Sequence, residues 1–255
     1  MSTKIEWADK SWNPITGCTP VSAGCEHCYA KRLAEGRLRG RYGYSQLEPF
    51  RVAIHPTRLK QPCHWRKPCR VFVCSMSDIF HEDVSSQYID KILHTIWACQ
   101  KHTFIVLTKR PELIKEKFYT RFAKHIPRFM ETFPAPLPNL WLGVTVESPK
   151  YLWRIDKLLE IQAAVRFVSF EPLLGPVDLT GLHLDRYSQS LQPYFDRLDW
   201  VIVGGETGPG ARPMHPDWAR QIRDDCVAAN VPFFFKQMSR KAAIPEDLLI
   251  REWPK

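Results

Sequence analysis

Ser11-Trp-Asn-Pro-Ile-Thr-Gly17 runs directly into Cys18-Thr-Pro-Val-Ser-Ala-Gly-Cys25-Glu-His-Cys28-Tyr29. A short strand-like run thus delivers a loop, at residues 17–29, with three cysteines spaced C-x6-C-x2-C. A helical pattern through Tyr29, Ala30, Leu33 and Ala34 follows and stops at Gly36. Three thiolates this close form a site for a soft metal. A structural zinc site is normally closed by four Cys or His ligands, whereas a 4Fe-4S cluster can be held by three thiolates with one iron left open. Both remain open at this point, because His27 lies inside the motif and Cys63, Cys69 and Cys74 follow downstream. Those three can complete a zinc site or hold an auxiliary cluster, although Cys74 falls in a strand-like run where a small buried hydrophobe is the commoner role. The blandest alternative is three ordinary buried cysteines in the loop.

Outward from the loop, short β-branched and aromatic runs recur with little alternation: Val71-Phe-Val-Cys-Ser, Phe104-Ile-Val-Leu-Thr, Leu140-Trp-Leu-Gly-Val-Thr-Val, Val165-Arg-Phe-Val-Ser-Phe, Trp200-Val-Ile-Val-Gly and Val231-Pro-Phe-Phe-Phe. Strands buried on both faces have this character. Between them lie helical patterns over Tyr88 to Cys99, Pro111 to Phe122, Pro149 to Leu159 and Pro216 to Ala229. With the N-terminal run this makes seven expected strands in successive βαβ units. The fold class is α/β, a full or partial parallel (β/α) barrel of six to seven strands, in preference to an open doubly wound sheet.

The length of 255 residues and the 44% hydrophobic content suffice for one large α/β barrel or for two small domains, and the expectation is the first, a single barrel domain over residues 1–255. Met1 to Lys10 contains no apolar signal core, and no run is long enough to span a bilayer. The expectation is a soluble cytoplasmic protein without a membrane partner. Eight cysteines, three of them clustered, fit reduced thiols and metal better than a secreted disulfide scaffold.

A net charge of +9 favours a polyanionic partner, unless the basic groups are spread evenly and serve solubility. Arg37, Arg39 and Arg41 precede Tyr42 and Tyr44 in a Gly-rich segment, a pattern for phosphate contact plus base stacking on a single strand, or for a solvated loop. Lys115, Lys117, Arg121 and Lys124 read as one helical stripe that faces nucleic acid or coats an outer helix.

Nearly every expected strand ends in polar groups: Ser75-Met-Ser77-Asp78, Thr108-Lys109-Arg110, Thr145-Val-Glu147, Ser169-Phe-Glu171, Gly204-Gly205-Glu206 and Lys236-Gln237. In β/α barrels strand C-terminal ends converge on the rim where ligands sit. One or two such groups can be helix caps, and Ser77 or Asp78 falls within that description. All six ends together point to a binding rim, with Lys109, Arg110, Glu171 and Lys236 as substrate or nucleic-acid contacts beside Arg37, Arg39 and Arg41. His81, Glu82 and Asp83 are adjacent, so they read as a helix-start charge cluster rather than as metal ligands.

The cysteine triplet after the first strand, the βα repeat and Gly204-Gly205-Glu206 together resemble the radical S-adenosylmethionine enzymes. Along almost the full length the chain also resembles the phage Gp37/Gp68 family, through WNPITGC (12–18), FVCSMSDIFHEDV (72–84), FIVLTKRPE (104–112), LWLGVTVE (140–147), RFVSFEPLLGPVDL (166–179), DWVIVGGETGPGARPMHP (199–216) and VPFFFKQ (231–237). The resemblance implies that Cys18, Cys25 and Cys28 hold a 4Fe-4S cluster whose open iron chelates S-adenosylmethionine. The commonest spacing in such enzymes is C-x3-C-x2-C, from which the longer first gap departs. Their Gly-Gly-Glu signature follows the second strand, where this chain has Ser75, Ser77 and Asp78. These three are therefore expected at the cofactor's amino group, Thr145 and Glu147 at its ribose, and Gly205 and Glu206 on the rim for cofactor or substrate.

The function implied is a radical enzyme that splits the cofactor to a 5′-deoxyadenosyl radical, takes electrons from a donor such as a flavodoxin or ferredoxin, and acts on a nucleotide or nucleic acid. The alternatives are a zinc-stabilised nucleic-acid-binding β/α barrel without redox chemistry, and a phage accessory protein that binds a partner protein.

Overall fold

The computed structural model describes residues 3, 5–119, 136–180, 182–185 and 190–254. Two compact units are distinguished, one of residues 1–21 and 28–141, the other of residues 22–27 and 142–255.

In the first unit, β1 (Lys10–Trp12) pairs in parallel with β4 (Arg70–Val73), Lys10 opposite Val71, and β4 pairs in parallel with β5 (Thr103–Thr108), Arg70 opposite Thr103. A small antiparallel pair, β2 (Ile15–Thr16) with β3 (Ala53–Ile54), braces the approach to the cysteine loop. Helix α1 (Tyr29–Glu35) starts directly after Cys28, and Gly36 caps its end. Helix α2 (Ser86–Ala98) buries Tyr88, Ile89, Ile92, Leu93 and Ile96, the one-sided spacing that the sequence pattern predicts. Trp12, Val71, Val73, Phe104 and Val106 form the strands' contribution to the core.

The expected helix from Pro111 is replaced by a 3-10 turn over Pro111–Leu113 and a π turn over Lys115–Tyr119, while its last positions lie outside the described residues. The physical reason is at Lys117. Its side chain is buried and its Nζ donates to the carbonyls of His81, Glu82 and Val84, so it leaves the expected basic stripe, and burial lowers its pKa. Arg121 and Lys124 lie outside the described residues.

β6 (Leu140–Thr145) contains the boundary between the units. The second unit holds β7 (Val165–Phe170), β10 (Trp200–Gly204) and β11 (Phe233–Gln237), parallel in the order β7, β10, β11. Every residue of β10 is buried, as the unbroken run Trp200-Val-Ile-Val-Gly requires. Helices α3 (Trp153–Leu159) and α4 (Pro216–Ala228) lie where the sequence shows helical patterns. An antiparallel hairpin of β8 (Leu182–Asp185) and β9 (Ser190–Pro193) is an addition to the sequence expectation.

The strand order of the main sheet is β1-β4-β5-β6-β7-β10-β11. All seven strands expected from sequence are present, parallel and in chain order, with β1 and β11 at opposite ends of that order, which is the partial form of the barrel, and residues 250–252 bond along the outer side of β11. No helix among the described residues is long and apolar enough to cross a membrane.

Candidate functional site

The first unit positions the start of the cysteine loop. Gly17 has φ +83°, and a Cβ there would lie 2.0 Å from the Arg51 carbonyl oxygen, so only glycine fits the turn into Cys18. Its amide donates to Met76 O at 2.9 Å and the Cys18 amide to Phe50 O at 3.2 Å.

Arg110, 1% exposed, converges on the same loop: Nη2 donates to Thr19 O at 3.1 Å and Thr19 Oγ1 at 2.8 Å, and Nη1 lies 3.5 Å from Cys18 Sγ. Nε of Arg110 donates to both Glu82 carboxylate oxygens at 3.0 Å. Burial opposes the guanidinium charge, but the Glu82 hydrogen bonds and the charges of Asp78 and Cys18 outweigh it and hold the pKa above its ordinary value. A fixed cation beside a sulfur favours the thiolate.

His81 supports the arrangement. Its Nδ1 accepts from the Asp83 amide at 3.1 Å, so Nε2 carries the proton and donates to Thr19 Oγ1 at 2.8 Å. Burial first, and then the Arg110 charge, lower its pKa and keep the ring neutral. The adjacent His81, Glu82 and Asp83 therefore organise a turn.

Asp78, 6% exposed, accepts from the Phe80 amide, from Thr108 Oγ1 and from the Lys109 amide at 2.8–3.0 Å, so its carboxylate joins the ends of β4 and β5. Ser77 Oγ donates to Ile15 O at 2.9 Å. Ser75 Oγ donates to Asn13 Oδ1 at 3.2 Å, and that oxygen also accepts from the Met76 amide at 3.0 Å. A hydroxyl that donates in this way keeps oxygen lone pairs able to accept from an ammonium.

In the second unit, residues 22–27 are tied to the end of β6. Glu147, 0% exposed, accepts from Ser22 Oγ at 2.5 Å and from Arg154 Nη1 at 2.9 Å, and the same Nη1 donates to Thr145 O at 2.8 Å. A Cβ on Gly24 would lie 2.4 Å from Glu147 Oε1, so glycine permits this close approach. Tyr151 Oη accepts from the Ala23 amide at 3.3 Å, and Ser22 Oγ lies 3.7 Å from Cys25 Sγ.

Glu206 accepts from the amide, Nε and Nη2 of Arg212, which also bonds Glu26 at 3.0 Å and Ala23 O at 2.9 Å. Burial works against the Glu206 charge, but Arg212 prevails and holds its carboxyl below the usual range. Gly205 exchanges hydrogen bonds with Gln237 at 2.8 and 3.1 Å. Glu171 pairs with Lys236 at 2.7 Å and accepts from Ser169 Oγ at 3.1 Å.

Of the remaining sequence candidates, Arg37, Arg39 and Arg41 are all exposed, with Arg39 Nε on Glu35 O at 3.0 Å. Tyr42 is 70% exposed, whereas Tyr44 packs with Ala30, Ala34 and Met76 in a small core and offers no stacking face. Lys109 is half-buried and its amide serves Asp78.

Among the described residues no group of three or more His, Cys, Asp or Glu side chains converges as a ready metal site. The donor chemistry of the loop nevertheless fits a thiolate-bound group: Cys18, Cys25 and Cys28 are half-buried thiols outside any disulfide, and Arg110 presents a cation to Cys18. Cys63, Cys69 and Cys74 do not combine into an auxiliary cluster. Cys63 lies 3.0 Å from Cys99, Cys69 faces His102 Nδ1 at 3.4 Å, and burial pushes the Cys74 thiol up to about 12. The downstream thiols are thus engaged elsewhere, so the loop offers either its three thiolates with an open position or the same thiolates with His27 as a fourth ligand.

Thr19, Ser22, Tyr151, Arg154 and Arg212 join the site without having stood out in the sequence. Arg154 and Arg212 follow Glu147 and Glu206 by seven and six residues, a spacing that a search for local charge partners would have found. Ser22, 125 residues from Glu147, has no such signal.

The chain belongs to the family described as Protein of unknown function (DUF5131), which matches residues 2–246. No curated protein matches it. Similar solved structures are those of spore photoproduct lyase. The lyase complexed with dinucleoside spore photoproduct has 12% identity and a TM-score of 0.49, and a doubly substituted lyase with bound AdoMet and dinucleoside spore photoproduct has 13% and 0.45. Each match covers 88% of this chain and 62% of the lyase, so the chain spans less than two thirds of the protein it resembles.

Proposed function

We propose that this chain is a radical S-adenosylmethionine enzyme of the phage Gp37/Gp68 kind, cytoplasmic, that acts on a nucleotide or nucleic acid and draws electrons from a flavodoxin or ferredoxin. A 4Fe-4S cluster on Cys18, Cys25 and Cys28 would supply the electron that splits the cofactor's sulfonium to methionine and a 5′-deoxyadenosyl radical. One observation carries this reading: both parts of the cysteine loop are tied to residues that follow strands, Thr19 to Arg110 after β5 and Ser22 to Glu147 after β6. Each part of the loop is thus anchored in its own unit before any ligand arrives.

The remaining residues take their roles from their places after the strands and in the 37–41 loop. Ser75, and Ser77 beside it, accept from the cofactor's ammonium, with Asp78 holding both strand ends that carry them. Thr145 and Glu147 serve the ribose side, and Gly205 and Glu206 keep residues 204–212 in a fixed turn. Lys109, Arg110, Glu171 and Lys236 supply polar contacts for substrate, with Arg37, Arg39 and Arg41 as an outer phosphate-binding loop.

Anaerobic reduction of the cluster-loaded protein with S-adenosylmethionine is expected to release 5′-deoxyadenosine and methionine, read by mass spectrometry. If a fully loaded protein yields neither product and calorimetry detects no cofactor binding, the reading fails and the metal-stabilised binding barrel replaces it.

The polyanion interface has its own test. Binding of single-stranded nucleic acid is expected to weaken with salt, and changing Arg37, Arg39 and Arg41 together to Gln should flatten the log–log slope by about 0.7 for each phosphate that is no longer neutralised. An unchanged slope removes the loop from the interface.

A further inference from the structure

Cys69 immediately precedes β4 and His102 immediately precedes β5, at the strand ends opposite to Ser75, Asp78 and Arg110. Cys63 lies nearby in a 3-10 turn over Gln61–His64, and Cys99 is the C-terminal cap of α2. The Cys63 and Cys99 sulfurs are 3.0 Å apart although 36 residues separate them in the chain. A disulfide has its sulfurs at about 2.05 Å, so roughly one ångström of approach divides this pair from a covalent bond.

Both partners are held where they are. His102 Nε2 donates to Pro62 O at 3.1 Å, next to Cys63, and the His102 amide donates to Cys99 O at 3.0 Å. Asn139 Nδ2 reaches the carbonyls of Ile96, Cys99 and His102 at 2.8, 3.4 and 3.2 Å, which fixes the end of α2. Cys69 is not a third member: with Nε2 of His102 donating, Nδ1 is left to accept the Cys69 thiol proton. Cys63 is exposed and Cys99 is 5% exposed, so a reagent from solution meets Cys63 first.

We propose that Cys63 and Cys99 are a modification site, a dithiol that converts reversibly to a disulfide under a low-molecular-weight disulfide such as oxidised glutathione. The Cys63 thiolate attacks one glutathione sulfur and releases one glutathione thiol, leaving a mixed disulfide. The Cys99 sulfur then attacks the Cys63 sulfur, gives up its proton and releases the second glutathione. Two S–H bonds break and one S–S bond forms, and the two electrons and two protons leave with the reduced oxidant. Burial, and then the neighbouring Cys63, push the Cys99 thiol up to about 12, so Cys63 is the sulfur that reacts first. Once formed, the bond pins the 61–64 turn to the end of α2, at the strand ends opposite to Arg110 and Cys18.

The test treats the full, cluster-loaded chain anaerobically with oxidised glutathione, then alkylates and maps peptides by mass spectrometry. Expected is a chain lighter by two hydrogens, with residue 63 linked to residue 99, two fewer alkylated thiols, and full reversal by dithiothreitol. Cys99→Ser should stop at a glutathione adduct on Cys63, and Cys63→Ser should leave Cys99 alkylatable, both with unchanged circular dichroism and iron content. A wild-type chain that stops at the Cys63 adduct with Cys99 still alkylatable, or that links Cys63 to Cys69, overturns the proposal. These readouts stand apart from cofactor cleavage, so failure of one does not decide the other.

Discussion

Cys25→Ala is expected to empty the protein of iron. A cluster held by three thiolates has no spare protein ligand, so removing one should take the content from about four irons per chain to near zero, with loss of the visible thiolate-to-iron absorption. Cys18→Ala and Cys28→Ala should behave alike. Cys63→Ala, Cys69→Ala and Cys226→Ala should keep full iron, because Cys63 and Cys69 face Cys99 and His102, and Cys226 is fully buried in α4. Iron and sulfide assays on anaerobically reconstituted protein read the result. Full cluster content in Cys25→Ala would sink the ligand assignment, and zinc in place of iron in the wild type would restore the binding-barrel alternative.

The strands were legible because burial on both faces leaves its mark in composition: Trp200-Val-Ile-Val-Gly can be little else. The helix expected from Pro111 was not, since nothing in the local pattern says that Lys117 turns inward to cap three carbonyls 33 to 36 residues earlier. The β8–β9 hairpin escaped for another reason, each of its strands being only four residues long.

At the candidate site the strand-end carboxylates could be read one by one, but their partners could not. Asp78 is expected at the cofactor through the family resemblance, and although successive strands are expected to be neighbours, the sequence does not show that Thr108 and the Lys109 amide bond its carboxylate. Likewise Tyr42 and Tyr44 look equivalent in the chain, yet one is exposed and the other lies in a small core. Two positions apart in an irregular loop, their side chains follow no period that would sort them.

Arg154→Met is expected to destabilise the second unit more than any surface substitution there. Arg154 and Glu147 are 1% and 0% exposed and pair at 2.9 Å, so the variant removes the cation bonded to a buried carboxylate while leaving the Ser22 Oγ bond and the nearby Arg212 charge in place. Breaking a buried pair by removing one partner costs about 3–5 kcal/mol, mostly from the charge left behind. At roughly 2–4 °C per kcal/mol for a chain of this size, the melting temperature should fall by about 6–20 °C. Glu147→Gln in the same chain removes the charge itself, so the double variant should regain most of the loss, whereas two independent defects would add. Because Glu147 also holds Ser22, Arg154→Met should release iron faster than the wild type at temperatures below its own transition, and the double variant should not share the full defect. Thermal melts and iron-release kinetics on the four proteins of this cycle separate a local anchor of residues 22–27 from general loss of stability. A single variant that melts within about 2 °C of the wild type would mean that the pair contributes less than about 1 kcal/mol on the same scale, and the anchoring role given to Arg154 would fail.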